Sequence, residues 1–109
     1  GGYTALWTAA DQGHKDIVRA LLTMASVDVN LASAERLTPL WRACSSGHLE
    51  IVEMLLHHAN IDVNAANLFQ RTPLCTACIN WNMDVVEALL RHPKIDVNLP
   101  DQSGSNPLM

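Results

Sequence analysis

Cysteine is scarce in this 109-residue sequence, cations are fewer than anions, and no apolar run is long. Three cysteines cannot all pair with one another, whereas a secreted scaffold of this size carries an even and denser set. Reducing, intracellular surroundings, the cytoplasm first among them, are therefore expected. Seven Lys and Arg against eleven Asp and Glu leave a net charge of -4, which opposes a phosphate backbone or an anionic lipid surface as a partner. No stretch reaches the roughly 20 apolar residues that a membrane span needs. The start, Gly1-Gly2-Tyr3-Thr4, has neither the basic nor the apolar region of a signal peptide. Missing too are a glycine-rich phosphate loop and any nucleophile marked by an orienting histidine and acid. Catalysis is not expected, and no cofactor is implied.

What is present is repetition. Thr4, Thr38, Thr72 and Asn106 open four similar segments at a spacing of 34 residues. Leu6, Leu40, Leu74 and Leu108 fall in register, as do Ala9, Ala43 and Ala77, and the pairs Leu21-Leu22, Leu55-Leu56 and Leu89-Leu90. Each segment reads as two short helices. The first opens at Thr38-Pro39-Leu40 or Thr72-Pro73-Leu74, a threonine N-cap followed by proline at the first helical position, with Ala5 replacing the proline in the first copy. Leu40, Ala43 and Cys44 at i, i+3 and i+4 give this helix one apolar stripe with small residues at its centre.

Gly13 and Gly47 suit the left-handed position that ends a helix. Asp16, Glu50 and Asp84 then fall in the first turn of a second helix, where the helix dipole favours them. Ile17-Val18, Ile51-Val52 and Val85-Val86, each followed by its Leu-Leu pair, supply the second helix's apolar face. Extended connectors follow at Val27-Asp28-Val29-Asn30, Ile61-Asp62-Val63-Asn64 and Ile95-Asp96-Val97-Asn98. Their Asp and Asn side chains are expected to bond to nearby backbone.

Thr-Pro-Leu, the alanine that follows it, Gly-His before the second helix, Ile-Val, Leu-Leu and Val-Asn together resemble the ankyrin repeat, over essentially the whole chain. The resemblance implies an all-α repeat solenoid of stacked antiparallel helix pairs joined by β-hairpin-like fingers. It implies a single domain with repeats at about 4–37, 38–71 and 72–105 and a partial fourth from 106. The chain enters at a finger and stops at Pro107-Leu108-Met109 with no polar capping repeat, so a fragment of a longer array is expected. Its terminal apolar faces would be partly uncovered, and fraying or end-to-end association follows from that.

Departures from the family's pattern are informative. The usual repeat has about 33 residues, and the extra residue here lies between Leu-Leu and Asp-Val-Asn, predicting a longer connector without a glycine stop. Trp7, Trp41, Cys75 and Met109 replace the family's histidine after Thr-Pro-Leu, so its polar bonding is expected to be absent and packing to take its place. Trp81-Asn82 stands where the other copies have Gly13-His14 and Gly47-His48. A left-handed tryptophan costs about 1–2 kcal/mol, so the turn is expected to rearrange, with Asn80 or Asn82 taking the unusual conformation.

Cys75-Thr76-Ala77-Cys78 has the spacing of a redox dithiol. Cys78, however, matches Cys44 and Ala10, a small buried helix position, and a structural role is expected. His57-His58 and His92 form no zinc-type pattern, because adjacent histidines on a helix end point apart. His14 and His48 recur at the helix–helix turn, where the family's histidine is structural.

Binding remains. In ankyrin-like proteins partner contacts come from finger tips and the groove-facing end of the first helix. Carried over by register, this implicates Tyr3, Asp11 and Gln12, then Ala34, Glu35, Leu37, Ser45 and Ser46. In the third copy the positions are Leu68, Phe69, Arg71, Ile79 and Asn80, with Trp81 beside them, and in the fourth Gln102, Ser103 and Ser105. The third set is unusually apolar and is expected to be the centre of a surface for a protein or peptide partner. Two placements of Phe69 and Trp81 are open: exposed as anchors, or turned inward to fill the space of the missing Gly-His turn. Trp7 and Trp41 are likewise open between an aromatic platform and packing within the stack, the latter favoured. The alternative function is that of a structural spacer within a longer solenoid.

Overall fold

The computed structural model describes residues 4–97, which form six short helices in three pairs: α1 (Ala5–Gln12) with α2 (Lys15–Leu22), α3 (Pro39–Ser46) with α4 (Leu49–Leu56), and α5 (Pro73–Ile79) with α6 (Met83–Leu90). Each first helix starts as its sequence predicts. Thr4, Thr38 and Thr72 are extended N-caps whose hydroxyls accept from the backbone N–H three residues on, at Trp7, Trp41 and Cys75. Gly13 and Gly47 end α1 and α3 in the left-handed region, at φ 78° and 76°. A Cβ on Gly13 would also come within 3.0 Å of the His48 ring, so the next repeat closes over this turn.

The pairs stack in two rows. α3 lies between α1 and α5, and α4 lies between α2 and α6. Leu6, Leu40 and Leu74 of the first row, and Val18, Ile51, Val52, Leu55, Val85 and Leu89 of the second, are all buried in the one apolar core. Ala9, Ala10, Ala43, Cys44 and Ala77 are buried between the first-row helices, where small side chains permit close approach. Neighbour order, not residue type, sets burial: Ile51 and Val85 each have a preceding pair to cover them and are 2% exposed, while Ile17 at the same register is 51% exposed.

The second helices end without a left-handed residue. Thr23, His57 and Arg91 are right-handed C-caps. Beyond them the chain tightens through successive i→i+3 bonds, such as His58 to the Leu55 carbonyl and Ile61 to the His58 carbonyl. This is the longer, glycine-free connector that the 34-residue period predicts.

The connectors do more than bond to themselves. Asp28 and Asp62 accept locally, from the N–H of Asn30 and Asn64. Both asparagines, however, reach into the next repeat. Asn30 donates to the Asn60 carbonyl at 2.7 Å and accepts from the Asp62 N–H at 2.8 Å. Asn64 repeats the pattern on Lys94 and Asp96, at 2.8 and 2.9 Å. Each carboxamide thus satisfies a donor and an acceptor of the following connector. Asn64→Ala removes two such bonds and is expected to lower stability by about 1–3 kcal/mol, read as a fall in the urea midpoint. Asn64→Asp, which keeps the acceptor alone, should lose less.

Two expectations are corrected. Packing does not simply take over from the family's histidine. The indole N–H groups of Trp7 and Trp41 donate to the carbonyls of Leu37 and Arg71, at 2.8 and 3.0 Å, so the polar bond persists from a larger donor tied to the next finger. Both tryptophans are half-buried in the stack. Neither Asn80 nor Asn82 takes the left-handed conformation, because Trp81 itself does so, at φ 58°. The turn keeps its geometry: the Asn82 backbone N–H donates to the Ala77 carbonyl just as those of His14 and His48 donate to Ala9 and Ala43. The fold class holds: no strand occurs among the described residues, and the fingers are tight, hairpin-like turns.

Candidate functional site

Two fingers are described in full, and they have one construction. Ser33 and Leu37 pair through the Ser33 N–H and the Leu37 carbonyl, as do Asn67 and Arg71, with a three-residue tip between. Within each tip an i→i+3 bond closes the turn, from Arg36 to Ser33 and from Gln70 to Asn67, and Arg36 and Gln70 sit left-handed at φ 62° and 63°. This is the type I turn with a left-handed last residue that three-residue hairpin loops favour. Asn67 is buried, and its side-chain oxygen accepts from the N–H groups of Phe69 and Arg71, fixing the second tip. The Leu68 N–H reaches the Glu35 carbonyl at 3.3 Å and ties the fingers to each other.

On this base Leu68 and Phe69 are exposed, Phe69 at 52%. Glu35 and Ala34 are exposed on the neighbouring tip, while Leu37 and Arg71 are half-buried. The Arg71 Nε is buried against the protein with no hydrogen-bond partner.

At the other end of the first-row helices the expected residues divide. The Asp11 carboxylate accepts from the Arg42 Nε in a partly shielded ion pair between α1 and α3, and its carbonyl accepts from the His48 ring. Gln12 is exposed and meets the His14 ring at 3.2 Å. Ser46 is exposed and Ser45 half-buried. The carbonyls of Ser45 and Cys44 accept from the side chains of Asn80 and Asn82, so two asparagines in the third copy do the linking that His48 does in the second. Ile79 is exposed, and Trp81 at 81% is the most exposed of the large apolar side chains. The inward placement of Phe69 and Trp81 is therefore excluded.

The four apolar residues form two spots, not one. Leu68 and Phe69 precede α5, whereas Ile79 and Trp81 close it, and seven helical residues separate the two ends by about 10 Å. Met83 extends the second spot and is exposed. Register carries the signal for it: Lys15 and Leu49 occupy its place in the earlier copies. Tyr3 and the fourth-copy positions Gln102, Ser103 and Ser105 lie outside the described residues.

The cysteines give no redox centre. None of the three is in a disulfide; Cys44 and Cys75 are buried and Cys78 is partly so. Burial pushes the Cys44 thiol far up, and burial, then the neighbouring Cys75, pushes Cys78 up as well. Reactive dithiols require the opposite shift. Among the described residues no three His, Cys, Asp or Glu side chains converge on a possible metal ion, and no helix is long and apolar enough to cross a membrane.

Comparison with known families agrees with this architecture. A model described as ankyrin repeats (3 copies) matches residues 1–67, and one described as ankyrin repeat matches residues 69–102. No curated protein matches the chain.

Proposed function

The chain belongs to the ankyrin-repeat family, whose repeats are in general protein-interaction modules and typically non-catalytic, and from that premise we propose that it binds an intracellular protein or peptide along its fingers and first-row helices, centred on the third repeat. One observation carries this reading. Leu68, Phe69, Ile79 and Trp81 are exposed, while Ala34, Glu35, Ser45 and Gly47 hold the same four positions one repeat earlier. The second repeat folds with small or polar residues there, so the scaffold does not demand large apolar ones. Exposed apolar groups that folding does not require are the mark of a contact surface.

The finger spot and the turn spot, about 10 Å apart, suit an extended segment touching both, with Glu35 and Ser46 at the polar margin. Aromatic anchors of this kind typically lose about 2 kcal/mol or more on truncation, about thirtyfold in affinity. Phe69→Ala and Trp81→Ala are therefore each expected to weaken capture of the partner by about that factor, with the circular-dichroism melt unchanged or raised. Affinity unchanged in both variants would remove the third repeat from the interface.

A further inference from the structure

The second row of helices carries a groove of a different character. It lies between the C-terminal ends of α4 and α6, has a volume of about 510 Å³, and is floored by Leu56, Ile61 and Ala88. Its rim is basic. His57, His58, Arg91, His92 and Lys94 line it, against the single carboxylate of Glu53. In a chain of net charge -4, three of the five histidines and two of the seven Lys and Arg converge here. Arg91 has only a loose, exposed pairing with Glu87, at 3.9 Å.

The histidines are held in place. The Nδ1 atoms of His58 and His92 each accept a backbone N–H, from Asn60 and Lys94, both at 3.1 Å. That contact places the hydrogen on Nε2 in both rings, available to donate outward. His57 donates from Nδ1 to the Glu53 carbonyl at 2.7 Å, which orients its ring. The combination differs from that of the preceding junction: the positions of His57, His58 and Lys94 carry Thr23, Met24 and Asn60 one repeat earlier, and Met54 stands where Ala88 stands, while Arg19, His57 and His58 hold the places of Glu53, Arg91 and His92.

We propose that this groove is a second binding site, which takes an apolar side chain flanked by carboxylates on a peptide segment of a partner protein. The floor suits the apolar group, and the rim supplies cations and N–H donors spaced around it. A phosphate or nucleic acid fits less well, because it would leave the apolar floor of Leu56, Ile61 and Ala88 uncovered. The site is independent of the finger surface and stands or falls without it.

The probe is a fluorescein-labelled short peptide with one leucine between pairs of glutamates, followed by fluorescence polarisation on the full chain. Saturable binding is expected, weakened about tenfold or more by Ala88→Met, which lays a thioether across the floor, and by the double variant Arg91→Glu with Lys94→Glu. Met54 shows that the helix tolerates methionine at that register, and the charge variant, confined to exposed residues, covers the case in which Ala88→Met fails to fold. Trp81→Ala should leave this affinity unchanged. No saturable binding, equal affinity in the folded groove variants, or displacement by inorganic phosphate or a single-stranded oligonucleotide as readily as by unlabelled peptide would overturn the proposal.

Discussion

Ile51→Ala is expected to cost about 2–5 kcal/mol, and Ile17→Ala less than about 1 kcal/mol, although the two isoleucines hold the same place in successive repeats. Ile51 is closed between α4 and the preceding pair, and its truncation leaves a cavity lined by fixed neighbours. Ile17 is half in solvent and loses little transfer energy. A domain of this size is stable by about 5–15 kcal/mol in total, so the first change removes a large share. Because α4 contacts both α2 and α6, the damage falls on two inter-repeat interfaces and should broaden the urea transition as well as move it. Equal losses for the two variants, measured by urea unfolding, would mean that the preceding pair does not cover Ile51 and that the order of stacking is different.

Trp81→Gly should move stability and binding in opposite directions. The left-handed backbone at Trp81 costs about 1–2 kcal/mol that glycine avoids, and the exposed indole gives up little packing when removed. Glycine's greater freedom in the unfolded chain returns roughly 0.5–1 kcal/mol of that gain. A net stabilisation of about 0.5–1 kcal/mol remains, a rise of several degrees in the melting midpoint. Partner affinity, by contrast, should fall about thirtyfold, as expected for loss of an aromatic anchor. A strained tryptophan where the other two turns use Gly13 and Gly47 is then intelligible as stability given up for contact. If stability falls together with affinity, Trp81 is a packing residue and the turn spot is no anchor.

The division between what the sequence discloses and what it conceals follows the range of each interaction. Threonine caps, left-handed glycines and the acidic first turns act within a few residues, and periodic repetition makes them readable. Bonds that leave the repeat are hidden. The indoles of Trp7 and Trp41 read as packing groups because their acceptors, the carbonyls of Leu37 and Arg71, lie in another finger. Asn30 and Asn64 read as local turn formers because nothing in the sequence shows which backbone will be opposite. The Trp81 turn departs from local reasoning for a related cause: local cost favours an asparagine at the left-handed position, but Asn80 and Asn82 are held by the carbonyls of Ser45 and Cys44 in the repeat before. Of the binding surface, the positions are legible from register. Exposure of Phe69 and Trp81, the capture of Asp11 by Arg42 and the histidine-rimmed groove are not, since each depends on the neighbouring repeat.

The asparagine links between connectors also limit which modules can be exchanged. Each one reaches a donor and an acceptor at a fixed offset in the following repeat, from Asn30 to Asn60 and Asp62 and from Asn64 to Lys94 and Asp96. Shuffling these 34-residue units among themselves preserves that offset. A unit of the family's ordinary length of about 33 residues, grafted between them, arrives with its connector one residue short, and the carboxamide before it loses both partners at once. Compatibility in a chimeric array is thus governed by connector length ahead of helix sequence.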